Sequence, residues 1–250
     1  MNLLAKLQLT NVYRLMIISL LINFLFSSQT FGLSQTLPQL FLAVLTTFIL
    51  DSIILYIKFK RSVFSDSAII SGLFIGLILS PGQVLYIPVF AGVIAILSKH
   101  IIGFKGQHFL NPAMFGMFIT SLIFGATLSW WGASSIIAVL VMGLLVNYQF
   151  KRFNQSLTFI ATYAVLTLLF SVFNPTITTA ELFNPVLYFF ALFMFIEPRT
   201  SPKSKNNRTI YGLIGGIIVF LSVIFLPQYN FAAGLLVSNI FAKIFDKFRK

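Results

Sequence analysis

The sequence contains no cysteine, two histidines and only five acidic residues. Without cysteine there is no thiolate nucleophile, no disulfide, no c-type haem attachment and no iron–sulfur ligation. The histidines, His100 and His108, lie in one short stretch, which excludes bis-histidine haem across a helical bundle. Apolar residues are abundant instead, at 58% of the 250 residues, with 9% charged. A soluble domain of this size needs fewer apolar side chains, so the excess is expected to face lipid.

The seventeen Lys and Arg residues form six short clusters that separate pairs of apolar stretches. The clusters are Lys6/Arg14, Lys58/Lys60/Arg61, Lys99/Lys105, Lys151/Arg152, Arg199/Lys203/Lys205/Arg208 and Lys243/Lys247/Arg249/Lys250. Because cytoplasmic loops of membrane proteins carry the Lys/Arg excess, this pattern predicts that both termini are cytoplasmic. The net charge of +12 does not indicate nucleic-acid binding, since the charges flank apolar spans instead of forming one basic face.

Crossings of about 15–21 residues predict an all-α integral membrane domain with ten transmembrane helices. We place these helices near 13–33, 37–57, 65–80, 83–98, 109–126, 129–148, 155–173, 182–197, 209–226 and 230–246. The basic N-terminus followed by Leu15–Phe26 is also typical of a signal peptide. We favour a retained first helix, because no convincing small-x-small cleavage site precedes the next span.

Several spans are short for a bilayer core, with about 16 residues at 65–80, 83–98 and 182–197 against the usual ~20. The third span of each half ends at a proline, Pro81 in the first half and Pro198 in the second. Short, interrupted segments in corresponding positions indicate inverted repeats with broken helices. Residues 1–250 are therefore predicted to be one membrane domain of two inverted five-helix repeats, about 13–126 and 129–246.

Polar helix starts stand out beside these apolar spans. Ser65-Asp66 and Asn111-Pro112 are typical of capped helix N-termini. In the alternative interpretation, the two helix starts approach one another and bind an anion such as phosphate or carboxylate.

Several of these motifs together resemble the NqrB/RnfD family, the membrane subunits of sodium-pumping NADH:quinone oxidoreductase and of the Rnf complex. The resemblance covers roughly residues 60–246, in the order expected for the family. The matching positions are Asp66-Ser67, Leu77–Pro81, Lys99, Gly103–Gly106, Leu110–Ala113, Phe190–Pro202, Arg208–Gly212, Ala233-Gly234 and Ser238-Asn239.

The resemblance implies a ten-helix protein that carries a flavin, FMN or riboflavin. In the family, one FMN is often bonded to the Thr of a Ser-Gly-Ala-Thr sequence on the outer side. This chain has Phe124-Gly125-Ala126-Thr127, with Phe in place of Ser and an outer loop of few residues. We expect that loop to bury the Thr127 hydroxyl and Gly125-Ala126 to serve helix packing. Non-covalent flavin is therefore favoured over covalent FMN at Thr127.

A flavin or ion site is expected where the broken helices meet. The candidate residues for that site are Ser67, Ser71, Asn111, Thr200 and Tyr211. No residue is assigned a direct catalytic role, and no metal site is expected.

The isolated acidic residues allow further interpretations. Asp51 lies seven residues before Lys58 in a predicted span, about 10 Å along a helix. It either snorkels to the cytoplasmic interface or belongs to an ion path with Asn23, Asn147 or Asn239. Glu197 either pairs with a charge in its own loop or orients a cofactor or partner.

Aromatic and imidazole side chains are given structural interpretations. Trp130 and Trp131, at the outer boundary, are interpreted as interfacial anchors. His100 and His108 are expected to be loop or interface residues and not ligands.

The sequence therefore predicts a non-autonomous subunit of an ion-translocating oxidoreductase in a prokaryotic plasma membrane. Its expected partners are the other membrane and peripheral subunits of a redox complex and the lipid bilayer. One alternative is a stand-alone transporter or channel of the same fold that has lost the flavin. Another is a structural scaffold for partner subunits.

Overall fold

The structure, a computed structural model, describes residues 12–61, 64–104, 107–174 and 177–247. Of the basic residues discussed above, Lys6, Lys105, Arg249 and Lys250 lie outside these ranges. The described residues form ten helices and one short hairpin. The helices are α1 Val12–Phe31, α2 Leu33–Phe59, α3 Asp66–Ile78, α4 Tyr86–Ile101, α5 Pro112–Phe124, α6 Ile136–Phe150, α7 Phe153–Ser171, α8 Pro185–Phe189, α9 Lys205–Phe225 and α10 Asn230–Lys247. The hairpin pairs β1 Gly103–Phe104 with β2 Gln107–His108.

Each helix falls on one of the ten predicted spans, so the all-α prediction is confirmed. Four helices, α1, α2, α7 and α9, are long and apolar enough to cross a membrane. Others are shorter; α3, with 13 residues, spans only about 20 Å at 1.5 Å per residue. The sixth helix begins at Ile136 and not near 129, because an extended segment and a 3₁₀ turn at Trp131–Ala133 precede it.

The chain divides into two compact units. Unit one consists of residues 1–108 and 112–138, and unit two of residues 109–111 and 139–250. In unit one, α2 packs on α3 and α4, α4 packs on α5, and α1 packs on α3. In unit two, α9 packs on both α7 and α10.

Glycines allow the closest helix contacts within each unit. A Cβ on Gly116 of α5 would lie 2.3 Å from the backbone oxygen of Ala91 on α4. In unit two, a Cβ on Gly212 of α9 would lie 2.5 Å from the backbone oxygen of Gln155 on α7. Without a side chain at these positions the backbones approach closely, as is common for membrane helices.

The C-terminal end of α3 is held by donors from elsewhere in unit one. The Gln39 amide Nε2 donates to the backbone oxygens of Gly76 and Leu79, at 2.9 and 2.8 Å. The indole Nε1 of Trp131 also donates to the oxygen of Gly76, at 2.9 Å. The helix ends because Leu79 turns to an extended conformation, followed by Ser80-Pro81-Gly82.

The short α8 continues into one π-helical stretch, Phe190–Met194. There the α-helical i→i+4 hydrogen bonds give way to i→i+5 bonds. The Asn147 amide Nδ2 donates to the backbone oxygen of Leu192, at 2.8 Å. The Gln155 amide Nε2 donates to the oxygen of Phe195. The broken helix of each unit is thus bound by a glutamine amide from the unit's second helix, Gln39 in α2 and Gln155 in α7.

Trp130 and Trp131 are not interfacial anchors. They are 7% and 2% exposed within the protein. The ring of Trp131 packs edge-on against Phe24 and Phe31. The hydrogen bond to the end of α3 explains this burial, since a buried indole N–H needs an acceptor.

We expect Gly116→Val to destabilise the protein, because the new side chain would meet the α4 backbone. Overpacking of this kind costs about 1–3 kcal/mol, and thermal unfolding in detergent would show a lower midpoint. Ile123→Val on the same helix changes an exposed side chain and is the matched control. Equal midpoints for the two variants would contradict the close packing of α4 on α5.

Candidate functional site

A charged group lies in unit one where α2, α3 and α4 meet. The Asp51 carboxylate of α2 is fully buried. Its Oδ2 accepts from Lys99 Nζ at 2.8 Å, and its Oδ1 lies 2.6 Å from His100 Nε2. Both partners belong to the last turn of α4.

Further polar groups extend this arrangement in two directions. Lys58 Nζ, near the end of α2, lies 3.3 Å from His100 Nδ1. Lys99 Nζ also donates to Ser67 Oγ at 2.9 Å. We call Asp51, Lys58, Ser67, Lys99 and His100 the Asp51 cluster.

The partners in the Asp51 cluster offset the free-energy cost of burying the Asp51 carboxylate. An isolated ionised carboxylate is expensive to bury, and an ion pair is retained only where hydrogen bonds complete it. Asp51 has an ammonium on one oxygen and an imidazole on the other. Because its side chain does not reach the surface, the snorkelling interpretation is wrong.

A second polar group lies within unit two. The Asn239 side chain of α10 accepts from the backbone N–H of Asn111 at 2.9 Å and donates to Tyr211 Oη at 2.9 Å. Glu197 Oε2 accepts from Asn111 Nδ2 at 2.9 Å and from Thr200 Oγ1 at 3.2 Å. We call these five residues the Asn239 network.

The Asn239 network is tightly packed. Asn111, Thr200, Tyr211 and Asn239 are all buried. The Tyr211 ring stacks on Phe195 with centroids 4.6 Å apart. These bonds join three separate parts of the chain, namely the segment before α5, the loop after α8, and α9 with α10.

Buried Arg152 holds the same loop after α8. Its Nη1 donates to Ser201 Oγ at 2.9 Å and to the backbone oxygen of Pro202 at 2.8 Å. Arg208 Nε also donates to the Pro202 oxygen, at 3.3 Å. Both arginines were assigned to topology from their sequence position, and both fix the backbone here.

The predicted site residues lie in three places, of which the segment after α5, with Thr127, is described below. Asn111, Thr200 and Tyr211 come together in the Asn239 network. Ser67 is bonded to Lys99, and Ser71 donates to the backbone oxygen of Ser67 at 3.0 Å. The three residues of unit two and the two serines of unit one belong to different compact units.

Of the two predicted polar helix starts, the one at Ser65 lacks a side-chain cap, and the one at Asn111-Pro112 has its proline in the predicted position. The side chain of Ser65 makes no capping bond and lies 3.3 Å from Ser67 Oγ, so side-chain capping there is wrong. Pro112 does occupy the first position of α5, as its fixed φ favours. The Asn111 side chain is directed at Glu197.

Thr127 lies in the extended segment after α5. Its backbone oxygen accepts from Ser80 N at 3.0 Å and from Gln83 Nε2 at 2.9 Å. The residue is exposed, which corrects the expectation of a buried hydroxyl. Nearby Gly125 has φ +64° and open space around its Cβ position.

These positions differ in how well they suit a flavin. Thr127 is an exposed residue near open space at Gly125, which fits a covalent phosphoester acceptor. The buried side chains of Asn111, Thr200 and Tyr211 are bonded within the Asn239 network, and a ring system among them would have to break those bonds. Of these four positions, Thr127 is the one that a flavin could reach without breaking the Asn239 network.

Sequence reasoning missed the partners of Asp51 and the central role of Asn239. The available signal was electrostatic, since a charge inside a membrane span requires a partner. Lys99 and His100 were the charged candidates at the basic end of a neighbouring span. For Asn239, nothing in the sequence indicated its contacts with Asn111 and Tyr211, which lie 128 and 28 positions earlier in the chain.

The family model described as NQR2, RnfD, RnfE matches the chain twice, over residues 3–135 and over residues 120–250. The chain belongs to this family. The suspected NqrB/RnfD relationship is confirmed, and together with the apolar helices it makes this chain a multi-pass membrane protein.

We expect Lys99→Met to destabilise this family member strongly. Removing one partner of a buried ion pair leaves an uncompensated charge, at a cost of about 3–5 kcal/mol. The double variant Asp51→Asn/Lys99→Met removes that charge and should recover much of the loss. Unfolding midpoints of the two single variants and the double variant test this coupling. Additive effects would contradict a direct pair.

Proposed function

We propose that the chain is a membrane subunit of an Rnf/Nqr-type complex that couples electron transfer to ion movement. The observation that carries this proposal is the family match across both halves of the chain. We place the protein in a prokaryotic plasma membrane with both termini cytoplasmic, on the basis of the six Lys/Arg clusters. The subunit acts with others, because its cysteine-free sequence cannot ligate iron–sulfur clusters.

We further propose that its two five-helix repeats are inverted. An odd number of helices per repeat gives the second repeat the opposite orientation, and the repeat itself is supported by local contacts that occur in both units. Asn23 and Asn147 each donate to the backbone oxygen four residues earlier, and the Gln39 and Gln155 amides bind a broken helix.

Asp51 is proposed to lie on the ion path. A charged residue inside a membrane span is a functional candidate by default, because its burial is costly. Asp51 is fully buried and linked through His100 to the exposed Lys58. It thus connects the basic end of α2 with the interior of unit one.

The proposed cofactor is a flavin, FMN or riboflavin, which would supply electron transfer when bound. Thr127 would hold it in the covalent mode, because the residue is exposed. In the non-covalent mode, Ser67, Ser71, Asn111, Thr200 and Tyr211 are the sequence-derived candidates.

Asp51→Asn should reduce ion-coupled activity per assembled complex, and it also lowers stability because Lys99 is left without its partner. We expect about a tenfold loss, equivalent to about 1.4 kcal/mol at the limiting step. Affinity purification from native membranes, followed by redox-driven ion uptake in proteoliposomes, measures both properties. Glu181→Gln, which changes an exposed carboxylate, is the matched control.

The same purification and uptake measurements also distinguish the proposed function from its alternative. Co-purified redox subunits support the complex, whereas solute transport by the isolated chain supports the flavin-free transporter alternative. Unchanged ion uptake in Asp51→Asn would remove Asp51 from the path.

Covalent flavin is tested by intact-mass analysis with in-gel flavin fluorescence. If Thr127 is the attachment position, wild type carries one flavin nucleotide and Thr127→Ala carries none. A bare polypeptide mass together with flavin absorbance in the native protein would establish the non-covalent mode. A bare mass without flavin absorbance would contradict both modes.

A further inference from the structure

We propose that the Asp51 cluster is a proton relay, and that the ion passing Asp51 is therefore H⁺ and not Na⁺. This inference rests on the proposed function and specifies the ion that the same site handles. Its basis is an unbroken series of hydrogen-bonded groups that runs from an exposed side chain to a buried carboxylate.

The series begins at the surface of unit one. Lys58 is exposed, the His100 side chain is 12% exposed, and Asp51 is fully buried. Lys58 Nζ lies 3.3 Å from His100 Nδ1, and His100 Nε2 lies 2.6 Å from Asp51 Oδ1. Each step joins two groups that can exchange a proton.

The partners fix which nitrogen of His100 carries the proton. The Lys58 ammonium has donors and no acceptor, so Nδ1 must accept from it. The Asp51 carboxylate has only acceptors, so Nε2–H must donate to it. His100 is therefore held in the orientation in which a proton enters at Nδ1 and another leaves at Nε2.

The transfer conserves protons at every atom. Lys58 gives a proton to Nδ1 while the Nε2 proton passes to Asp51 Oδ1. Lys58 takes up a proton from the aqueous phase, and reorientation of the neutral imidazole returns an N–H to the side of Asp51, so His100 is reset with no further proton gained or lost. The net result is one proton moved from the aqueous phase to the Asp51 carboxyl, and neutral Asp51 then holds the Lys99 ammonium less strongly.

The same geometry opposes Na⁺. Hard cations bind oxygen ligands, but the two Asp51 oxygens already face Lys99 Nζ at 2.8 Å and His100 Nε2 at 2.6 Å. The groups facing the carboxylate are Lys99 and His100 from α4, with Lys58 behind His100. The helix α3 presents Ser65 and Ser67 to Lys99 and carries Asp66 between them. A sodium ion would have to displace an ammonium and meet a second one.

The test uses the whole complex in proteoliposomes, with redox-driven uptake of protons and of radioactive sodium measured separately. We expect proton uptake in sodium-free buffer, and a loss of about tenfold or more in His100→Ala, as for removal of a proton-transfer group. Added imidazole should restore much of the uptake in His100→Ala. A folding defect would not be repaired by imidazole in this way.

His108→Gln, which changes the other histidine of the sequence, is the matched control and should keep wild-type uptake with no response to imidazole. Membrane abundance and the rate of electron transfer are measured for each variant, so that loss of protein is separated from loss of coupling.

The outcomes distinguish this inference from the proposed function. Sodium uptake without proton uptake in the wild type would overturn the proton relay and keep the ion-translocating complex. Full proton uptake in His100→Ala, or a loss that imidazole does not restore, would also overturn the relay. Absence of any redox-driven ion uptake in the wild type would overturn the proposed function itself.

Discussion

The fold depends on satisfying the backbone groups that a broken helix leaves inside a membrane. Each such group without a partner costs several kcal/mol there, so a short helix needs internal donors. Gln39 and Gln155 supply them, and Trp131 adds a third. The interrupted helices α3 and α8 persist because these amide and indole groups replace the donors that a continuous helix would have provided.

The helices were predictable from the sequence because their determinants are local. Apolar length and Lys/Arg position define a span within about 20 residues. Residues 127–128 were predicted as a turn, but residues 129–135 were wrongly placed in the sixth helix, because the conformation of this segment depends on pairing with the end of α3, as in the bridge between Leu79 and Leu128. The burial of Trp131 has the same origin. Contacts between residues some 50 positions apart in the chain produce no hydrophobic periodicity in the sequence.

Individual residues of the candidate site could be predicted from the sequence, but the contacts between them could not. Asp51 stands out because charge is rare in a span, and Tyr211 and Thr200 stand out through family resemblance. The need for a basic partner was predictable, but the sequence does not show that Lys99 and His100 provide it, since they are 48 and 49 residues from Asp51. A sequence shows that a buried charge needs compensation. Only the packing of α4 against α2 shows which groups provide it.

The two units share the contacts that bind their broken helices but differ in charge at one equivalent position. Gln39 and Gln155 make equivalent contacts in the two units. Twelve residues further along, the first has Asp51 and the second has Thr167. Thr167 is also buried, so the space is kept while the carboxylate is not. The contact that binds the broken helix recurs in both units, whereas a buried carboxylate occurs at this equivalent position in unit one alone. That asymmetry supports the role in ion movement proposed for the Asp51 cluster.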